Sequence, residues 1–541
     1  MKATMKLATL LTFAVSDVSL AASPIPTFDK EAVTVHPYMR TGEQNASVDM
    51  TKVKSGDAKS AVKGELYVRR VVVEGTKAKD EWGKLRAILA SYEGREVKNY
   101  EFSLLAAKVT EYYRTEGFTV PQAVVPPQEI KDGVLKVHVY TARYDDVRIV
   151  KNTSDVATGV LERYLHNLKE GDVIKDRPFE LAINNLNDLP AVTARAVLMP
   201  GSKPETTRVG IEVLRRPVWN NYIFTDNGGG YYSGRWRYGF NTEINNPGHQ
   251  GDKITLNGMI TSNKVKNYGI RYETPWGGDG TRVGVGWSQS SYELHTNGLY
   301  DSLGESKGLS LYGMTPLYRN RLQRVTAIYG FDWRDIKDRL HFNWDIPENV
   351  TRKHARVYHV GISGSQYYPN QFTQYSLIYW RGSMKTDGGA YYDGTYHKLT
   401  GDLLNIWYAG DWNFRISASG QLANRSLDGS EQFYLGGMNG VRAYGASDGY
   451  GDSGYLMSGE IRRATGIPYL EAAAFIDWGG AVDRNSKTWD HLAGWGLGLR
   501  YQKDNDWYIQ LDWSRKIHGR FDFTEPKNHD SRFWVQIYKM M

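Results

Sequence analysis

The 541-residue chain contains no cysteine. This absence excludes disulfide bonds, thiolate metal sites and cysteine nucleophiles. A chain without these crosslinks is stabilised by the burial of side chains and by backbone pairing alone.

The sequence also lacks a long apolar run. After the N-terminal segment, no stretch approaches the roughly 18 apolar residues of a membrane-spanning helix. The mean hydropathy is −0.52, which is that of a predominantly polar chain. The sequence therefore contains no obvious helical membrane anchor.

The N-terminal segment has the pattern of an export signal. Met1–Lys6 is short and cationic, Leu7–Val15 is mostly apolar, and Ser19–Ala22 consists mainly of small residues. Secretory signal peptides have this order of segments. We expect residues 1–22 to be such a peptide, with a buried N-terminal helix as the alternative.

Aromatic residues and glycine are abundant, with 37 Tyr, 16 Trp, 16 Phe and 56 Gly. Tyrosine and tryptophan favour membrane–water interfaces, and girdles of aromatic residues are typical of transmembrane barrels. The formal charge of +7 is modest for this length, and we expect no nucleic-acid partner.

The chain changes character near residue 217. Before this point, two units of about 75 residues alternate strand and helix patterns. In the first unit the strand pattern Leu66–Val73 precedes a helix that places Phe102, Leu105, Val109 and Tyr112 on one face. The second unit has a strand at Asp146–Val150 and a helix from Pro178. Its first helical stripe consists of Val160, Leu161, Tyr164, Leu165 and Leu168.

After Pro217 the pattern is strand, turn, strand. In Trp507–Ser514 the odd positions are Trp, Ile, Leu and Trp, whereas most even positions are polar. Such alternation over ~10 residues is typical of a membrane strand, and bacterial barrels have an even number of strands. We count about sixteen segments and predict a transmembrane antiparallel β-barrel over residues 218–541. The segments begin near residues 218, 233, 251, 266, 281, 307, 322, 355, 371, 399, 412, 453, 469, 493, 505 and 531.

A soluble β-sandwich or propeller is the alternative architecture. A propeller repeats its blade at a fixed period, and this sequence shows no such repeat. Outward bands of tryptophan and tyrosine would also be costly in water. Both observations favour the membrane barrel.

The longest irregular stretch of the second half runs from about residue 427 to 452, between the eleventh and twelfth predicted strands. It contains Val441, Arg442, Ala443 and Tyr444. The next strand carries Ser458, Glu460 and Arg462 on one face. The strand after that carries Phe475, Asp477 and Gly479, and alternation places Phe475 and Asp477 inside the barrel.

These segments resemble the outer-membrane transporters of two-partner secretion, the TpsB, ShlB and FhaC type. In that family a loop folds into the barrel with a V-R-G-Y/F tip, and its arginine pairs with the aspartate of an F-x-D-x-G motif on the inner wall. In this chain Ala443 replaces the usual glycine, whereas the wall motif is intact. The stretch Tyr113–Gly133 resembles the first of the family's two POTRA domains.

The resemblance implies α+β POTRA domains followed by a transmembrane antiparallel β-barrel of about 16 strands. Residues 66–143 would be POTRA domain 1 and residues 144–217 POTRA domain 2, with residues 23–65 as a tether or plug segment. Loop residues Val441, Arg442, Ala443 and Tyr444 would face Phe475, Asp477 and Gly479, with Glu460 and Arg462 as candidate lumen partners. An Arg442–Asp477 pair there would hold the loop in the resting pore.

The implied function is export. The POTRA domains would recognise an unfolded exoprotein of the TpsA type in the periplasm, and the barrel would export it. This partner would be a haemolysin, an adhesin or a contact-dependent toxin. Lipid of the bacterial outer membrane and the barrel assembly machinery would be further partners. The sequence alone leaves the identity of the cargo open.

Other functions have weaker support. Gly445–Gly449 matches G-x-S-x-G around Ser447, but a nucleophile elbow requires a strand-to-helix turn, and no helix pattern follows. The histidines are scattered, and Asp448 and Asp452 fit turns better than a cation site. We therefore expect no enzyme activity, metal or cofactor. A barrel assembly factor, a passive porin and an outer-membrane hydrolase remain as alternatives.

Overall fold

A computed structural model describes residues 65–541, apart from residues 77, 79, 81–82, 264, 297–299, 321, 343–348, 447, 504–505, 519–524 and 526–528. The predicted signal peptide 1–22 and residues 23–64 of the predicted tether or plug segment lie outside the described residues, as does Ser447. No helix in this described part is long and apolar enough to cross a membrane.

The described chain divides into two compact units. The first comprises the described residues up to Arg216 together with Gly277–Asp279, and the second comprises Pro217–Trp276 and Gly280–Met541. The first unit contains two hydrophobic cores, one in each half. The change of sequence pattern near residue 217 therefore coincides with the boundary between the units.

The first half of this unit combines two sheets with two helices. Strands β2, β5 and β4 form a three-stranded sheet in that order, and β1 pairs with β3. Helix α2 buries Leu105, Val109 and Tyr112, three residues of its predicted apolar face. The elements are β1 (Glu65–Val68), β2 (Arg70–Gly75), α1 (Lys84–Ala90), β3 (Arg95–Lys98), α2 (Asn99–Thr115), β4 (Pro121–Val124) and β5 (Val134–Thr141).

The predicted single strand Leu66–Val73 is in fact two strands. Strand β1 pairs antiparallel with β3, whereas β2 pairs parallel with β5, so the chain changes partners at Arg69. The Arg69 backbone N–H donates to the carbonyl oxygen of Gly133 at 2.7 Å. Gly133 has φ of +71°, and an added Cβ would lie 2.9 Å from the Arg69 Cβ, so a glycine is required at this crossing.

The second half of the unit forms one three-stranded sheet of order β6, β8, β7. The predicted stripe from Val160 to Leu168 is buried, but only Val160 and Leu161 lie in a helix, and the other three follow it in turns. The elements are β6 (Arg143–Asn152), α3 (Thr158–Arg163), α4 (Asp176–Asn187), β7 (Val192–Pro200) and β8 (Thr206–Arg215).

The second unit is a closed barrel of sixteen antiparallel strands, which confirms the predicted fold class. Strand β9 pairs with β10 on one side and with β26, the last strand, on the other. The barrel strands are β9 (Trp219–Asp226), β10 (Arg237–Asn245), β11 (Lys253–Thr261), β12 (Lys266–Pro275), β13 (Arg282–Thr296), β14 (Tyr300–Arg319), β15 (Gln323–Phe342), β16 (Asn349–Tyr368), β17 (Gln371–Thr386), β18 (Gly394–Ala409), β19 (Trp412–Ala423), β22 (Ser453–Ala464), β23 (Leu470–Asp483), β24 (Thr488–Gln502), β25 (Trp507–His518) and β26 (Ser531–Met540).

The two faces of the barrel wall differ in polarity. On β15, Asp332 and Asp338 are buried on the inner face, whereas Tyr329 and Trp333 on the outer face are 39% and 38% exposed. Transmembrane barrels have this apolar outer face and polar interior. The alternation read from the sequence therefore assigns the two faces of this strand.

The loop between β19 and β22 packs against the inner wall. It contains a 3₁₀ turn at Gly429–Glu431 and a short pair of strands, β20 (Phe433–Tyr434) and β21 (Tyr450–Gly451). We call residues 427–452 the inner loop. Its buried residues Leu435, Val441, Ala443 and Tyr444 form one cluster with Leu456, Ala481 and Leu492 of the wall.

Candidate functional site

The Arg442 side chain at the tip of the inner loop contacts Asp477 on β23. Its Nε and Nη2 atoms each lie 2.8 Å from one oxygen of the Asp477 carboxylate. The Arg442 backbone N–H also donates to this carboxylate at 3.2 Å. Such a bidentate, charge-assisted pair fixes both the position and the orientation of the guanidinium group.

Two further carboxylates contact the same guanidinium group. Arg442 Nη1 lies 2.9 Å from an oxygen of Glu460 on β22 and 3.3 Å from an oxygen of Asp512 on β25. The centre of the guanidinium group lies 3.2 Å from the centre of the Phe475 ring, which places the cation on the aromatic face. We call Arg442 with Asp477, Glu460 and Asp512 the tip anchor.

The backbone of the loop tip is also held by the wall. The carbonyl oxygen of Arg442 accepts hydrogen bonds from Ser514 Oγ and Trp534 Nε1, both at 2.6 Å. The Tyr444 hydroxyl donates to the carbonyl oxygen of His518. Sequence analysis missed Asp512, Ser514 and Trp534. The alternation of β25 and β26 predicts that these three residues face the lumen, but it does not predict that they contact Arg442.

The candidate lumen partners Glu460 and Arg462 lie in the same network. Arg462 Nε lies 2.5 Å from one Glu460 oxygen, and Arg500 Nη2 lies 3.2 Å from the other. Arg500 also pairs with Asp512 at 2.7 Å. Ser458 donates to Asp477 at 2.6 Å and so supports the carboxylate that holds Arg442.

Glycine residues of the wall make room for the loop. Gly479 closes the F-x-D-x-G motif, and an added Cβ there would lie 3.1 Å from Leu435 of the loop. An added Cβ on Gly494 of β24 would lie 2.5 Å from the Ala443 Cβ. The alanine at the usual glycine position of the tip is therefore accommodated by a glycine on the wall.

A second ionic cluster holds the start of the inner loop. Asp428 pairs with Lys353 on β16 at 2.8 Å, and Glu431 pairs with Arg334 on β15 at 2.5 Å and with Lys398 on β18 at 2.7 Å. We call these five residues the base anchor. Sequence analysis did not identify it, because its cations lie on three strands and share no motif.

Asp448 and Asp452 accept hydrogen bonds from the backbone. Asp448 accepts from the N–H of Gly445 at 2.7 Å, as in a turn. Asp452 accepts from the N–H groups of Leu427 and Arg484, both at 2.8 Å. The Asp448 contact is that of a turn, whereas Asp452 binds N–H groups 25 and 32 positions away and so connects separate segments instead of closing a turn.

The two anchors are ion pairs between a loop and a wall. Buried ion pairs contribute little net stability, because desolvation of the charges opposes their attraction, but they specify one geometry. Such contacts break without any covalent change. The arrangement is therefore suited to a loop that occupies two positions.

Comparison with known proteins agrees with this architecture. Residues 205–501, more than half of the chain, match the family described as "Haemolysin secretion/activation protein ShlB/FhaC/HecB". Residues 66–141 match the ShlB-type POTRA domain.

Two curated relatives cover most of the chain. The heme/hemopexin transporter protein HuxB of Haemophilus influenzae is 26% identical over 84% of this chain and 84% of its own length. The hemolysin transporter protein HpmB of Proteus mirabilis is 23% identical over 75% of both chains.

Solved structures show the same fold. CdiB from Escherichia coli superposes with a TM-score of 0.73 at 17% identity and covers 94% of this chain and 97% of its own. BamA from Haemophilus ducreyi has a TM-score of 0.53 at 13% identity and covers 88% of this chain. The chain belongs to the ShlB/FhaC/HecB family of two-partner secretion, whose members are outer-membrane translocators with POTRA domains in the periplasm.

Proposed function

We propose that this chain exports an unfolded partner polypeptide through its barrel and that the inner loop must leave its present position during export. The observation that carries this proposal is the loop itself. A barrel of sixteen strands encloses an aqueous lumen unless it is plugged. The tip of the loop is packed against the inner wall and held by three carboxylates. A polypeptide in transit needs the space that this loop occupies.

Capture of the partner is proposed for the two POTRA units, residues 66–143 and 144–217. In the POTRA unit 66–143, β2 and β4 are the outer strands of the three-stranded sheet. In the POTRA unit 144–217, β6 and β7 are the outer strands. An extended peptide can add to such an edge, where backbone hydrogen bonds supply affinity for unfolded chains of varied sequence. This mode suits a partner that arrives unfolded.

The proposed cargo is a large secreted exoprotein. Relatives of this chain are named as transporters for heme/hemopexin and for hemolysin, and a third is the outer membrane transporter CdiB of Dickeya dadantii. Because the heme/hemopexin transporter covers the largest share of this chain among the three, we propose an exoprotein of that class as the first cargo to test.

The first experiment is a secretion assay with a large exoprotein of this class as the partner, in cells with and without the chain. Export is supported if the partner reaches the medium or the cell surface only when the chain is present. Secretion in its absence, together with failed assembly of other barrels, would instead assign the chain to barrel assembly.

We further propose that the chain has no catalytic activity and that the barrel assembly machinery inserts it into the lipid of the outer membrane. The G-x-S-x-G match is followed by strand β21, Tyr450–Gly451, and not by the helix that a nucleophile elbow requires. Esterase activity of the purified protein that Ser447→Ala abolished would contradict the first proposal.

A further inference from the structure

Arg415 lies on the inner face of β19, in a cavity beneath the loop tip. The cavity has a volume of about 90 Å³, and the Arg415 side chain is partly exposed to it. Guanidinium, hydroxyl and amide groups of the wall surround the same space. They belong to Ser417, Arg462, Arg500, Gln510 and Gln536, and the Glu460 carboxylate and the Arg442 guanidinium group line the cavity as well.

Arg415 has no carboxylate oxygen within 4.0 Å among the described residues, although it is paired in register with Glu460 of β22. Other arginines compete with Arg415 for the Glu460 carboxylate. One Glu460 oxygen binds Arg462 at 2.5 Å, and the other binds Arg442 at 2.9 Å and Arg500 at 3.2 Å. The Glu460 carboxylate also lines the cavity, but it is in contact with three other arginines, and the lining carries four guanidinium groups, those of Arg415, Arg442, Arg462 and Arg500, beside this one carboxylate.

A guanidinium group in a partly desolvated cavity binds carboxylates strongly, because its planar donors match the two carboxylate oxygens. Rings of arginine and lysine also select anions in pores. Arg462 lies beside Arg415, on the opposite strand, and adds to the positive potential. Ser417 supplies a hydroxyl group in the same cavity.

We propose that Arg415, flanked by Arg462, forms a carboxylate-binding site for aspartate and glutamate side chains of the polypeptide in transit. The identity of this ligand rests on the proposed export function. Neighbouring strands of the barrel are antiparallel, so all odd-numbered strands begin on the same side. Strand β19 is the eleventh strand and therefore begins on the side where β9 begins, the periplasmic side. Arg415 is the fourth residue of β19, so an entering chain meets it before it reaches the loop tip.

A purely structural role predicts a different behaviour. If Arg415 stabilised the barrel, its removal would leave a partner group unpaired. Because Arg415 has no carboxylate oxygen within 4.0 Å in the described chain, Arg415→Gln breaks no ion pair, and Glu460 keeps its contacts with Arg442, Arg462 and Arg500. We expect this variant to form the barrel as the wild type does, which the heat-dependent gel mobility of folded barrels measures.

The binding test uses the full-length protein in detergent at low ionic strength. A fluorescein-labelled hexaglutamate peptide is titrated with the protein, and fluorescence anisotropy gives the affinity. We expect Arg415→Gln to weaken binding about tenfold and Arg415→Lys to weaken it less, because lysine keeps the charge but lacks the planar pair of donors. Arg352→Gln, the same substitution at an exposed position on β16, should leave the affinity unchanged. A hexalysine peptide should not bind.

Each other result has a defined meaning. Equal affinity of wild type and Arg415→Gln would overturn the proposed site. Displacement of the peptide by acetate at an equal carboxylate concentration would show a site for any small anion, and the polypeptide ligand would be wrong. The secretion assay fails or succeeds independently, because an Arg415-dependent affinity for hexaglutamate does not require that the chain exports the partner.

Discussion

The contact between Ala443 and Gly494 determines how closely the loop tip approaches the wall. Ala443 is fully buried, and its methyl group occupies the space that a side chain at position 494 would need. Ala443 does not have a positive φ, so the backbone at this position does not require glycine. The glycine that this contact requires is therefore Gly494 of the wall.

We predict that Gly494→Ala displaces the loop tip, because two Cβ atoms cannot lie 2.5 Å apart. Overpacking of this kind costs about 1–3 kcal/mol. The measurement is the rate of trypsin cleavage after Arg442, which is buried in the docked loop. Cleavage should be about 5- to 150-fold faster than in the wild type, which is the factor that this cost corresponds to. Adding Ala443→Gly should restore protection, and failure of this rescue would mean that Gly494→Ala acts elsewhere.

Asp477 is the second residue whose removal should free the tip. Asp477→Ala deletes the bidentate partner of Arg442 and leaves a buried guanidinium group undercompensated. Breaking a buried pair in this way costs about 3–5 kcal/mol, part of which Glu460 and Asp512 offset here. We predict more frequent pore opening in planar lipid bilayers and altered secretion of the partner. Unchanged conductance together with unchanged secretion would refute the hypothesis that the Arg442–Asp477 pair holds the loop in the resting pore.

The inner loop is an element with two separate attachments, the tip anchor and the base anchor. The base anchor joins Asp428 and Glu431 to β15, β16 and β18, whereas the tip anchor joins Arg442 to β22, β23 and β25. The two anchors use different strands and share no residue. Each is therefore expected to open without the other.

Glu431→Gln tests this independence, because it removes the charge that pairs with Arg334 and Lys398. The chain has no cysteine, so a single introduced cysteine reports local exposure cleanly. Leu427 and Ala443 are both buried and mark the base and the tip. We predict that Glu431→Gln increases maleimide labelling of Leu427→Cys but not of Ala443→Cys, and that Asp477→Ala does the opposite. Equal effects at both positions would indicate one cooperative contact.

The sequence predicts the strands of the barrel better than the loop contacts. Most predicted strand starts lie within a few residues of the observed ones. The prediction near 307 is late by seven residues, because β14 begins at Tyr300 and its first residues lack a clean apolar alternation. The Arg442–Asp477 pairing follows from the family resemblance. The roles of Asp512 and Trp534 depend on which side chains meet across the lumen, and this information is absent from local spacing.

At the scale of the whole molecule, the barrel and the inner loop are separable. The wall closes through β9 and β26, and β19 pairs directly with β22 up to the pair of Gln421 and Gly454. None of these ladders includes a residue of the loop from 433 to 450. The hydrogen bonds that close the barrel therefore do not depend on the loop that occupies it.

We predict that replacing residues 433–450 with a short glycine–serine linker leaves a folded but constantly open barrel. The cost is the exposure of Leu456, Ala481 and Leu492, each of which then faces the lumen instead of the loop. Because a large apolar side chain contributes about 1.5–3 kcal/mol on burial, this loss is small beside the sixteen paired strands. Heat-dependent gel mobility measures folding, and bilayer recording measures conductance. A variant that fails to fold would show that the loop is part of the barrel core, whereas a folded variant with wild-type conductance would show that something other than this loop closes the pore.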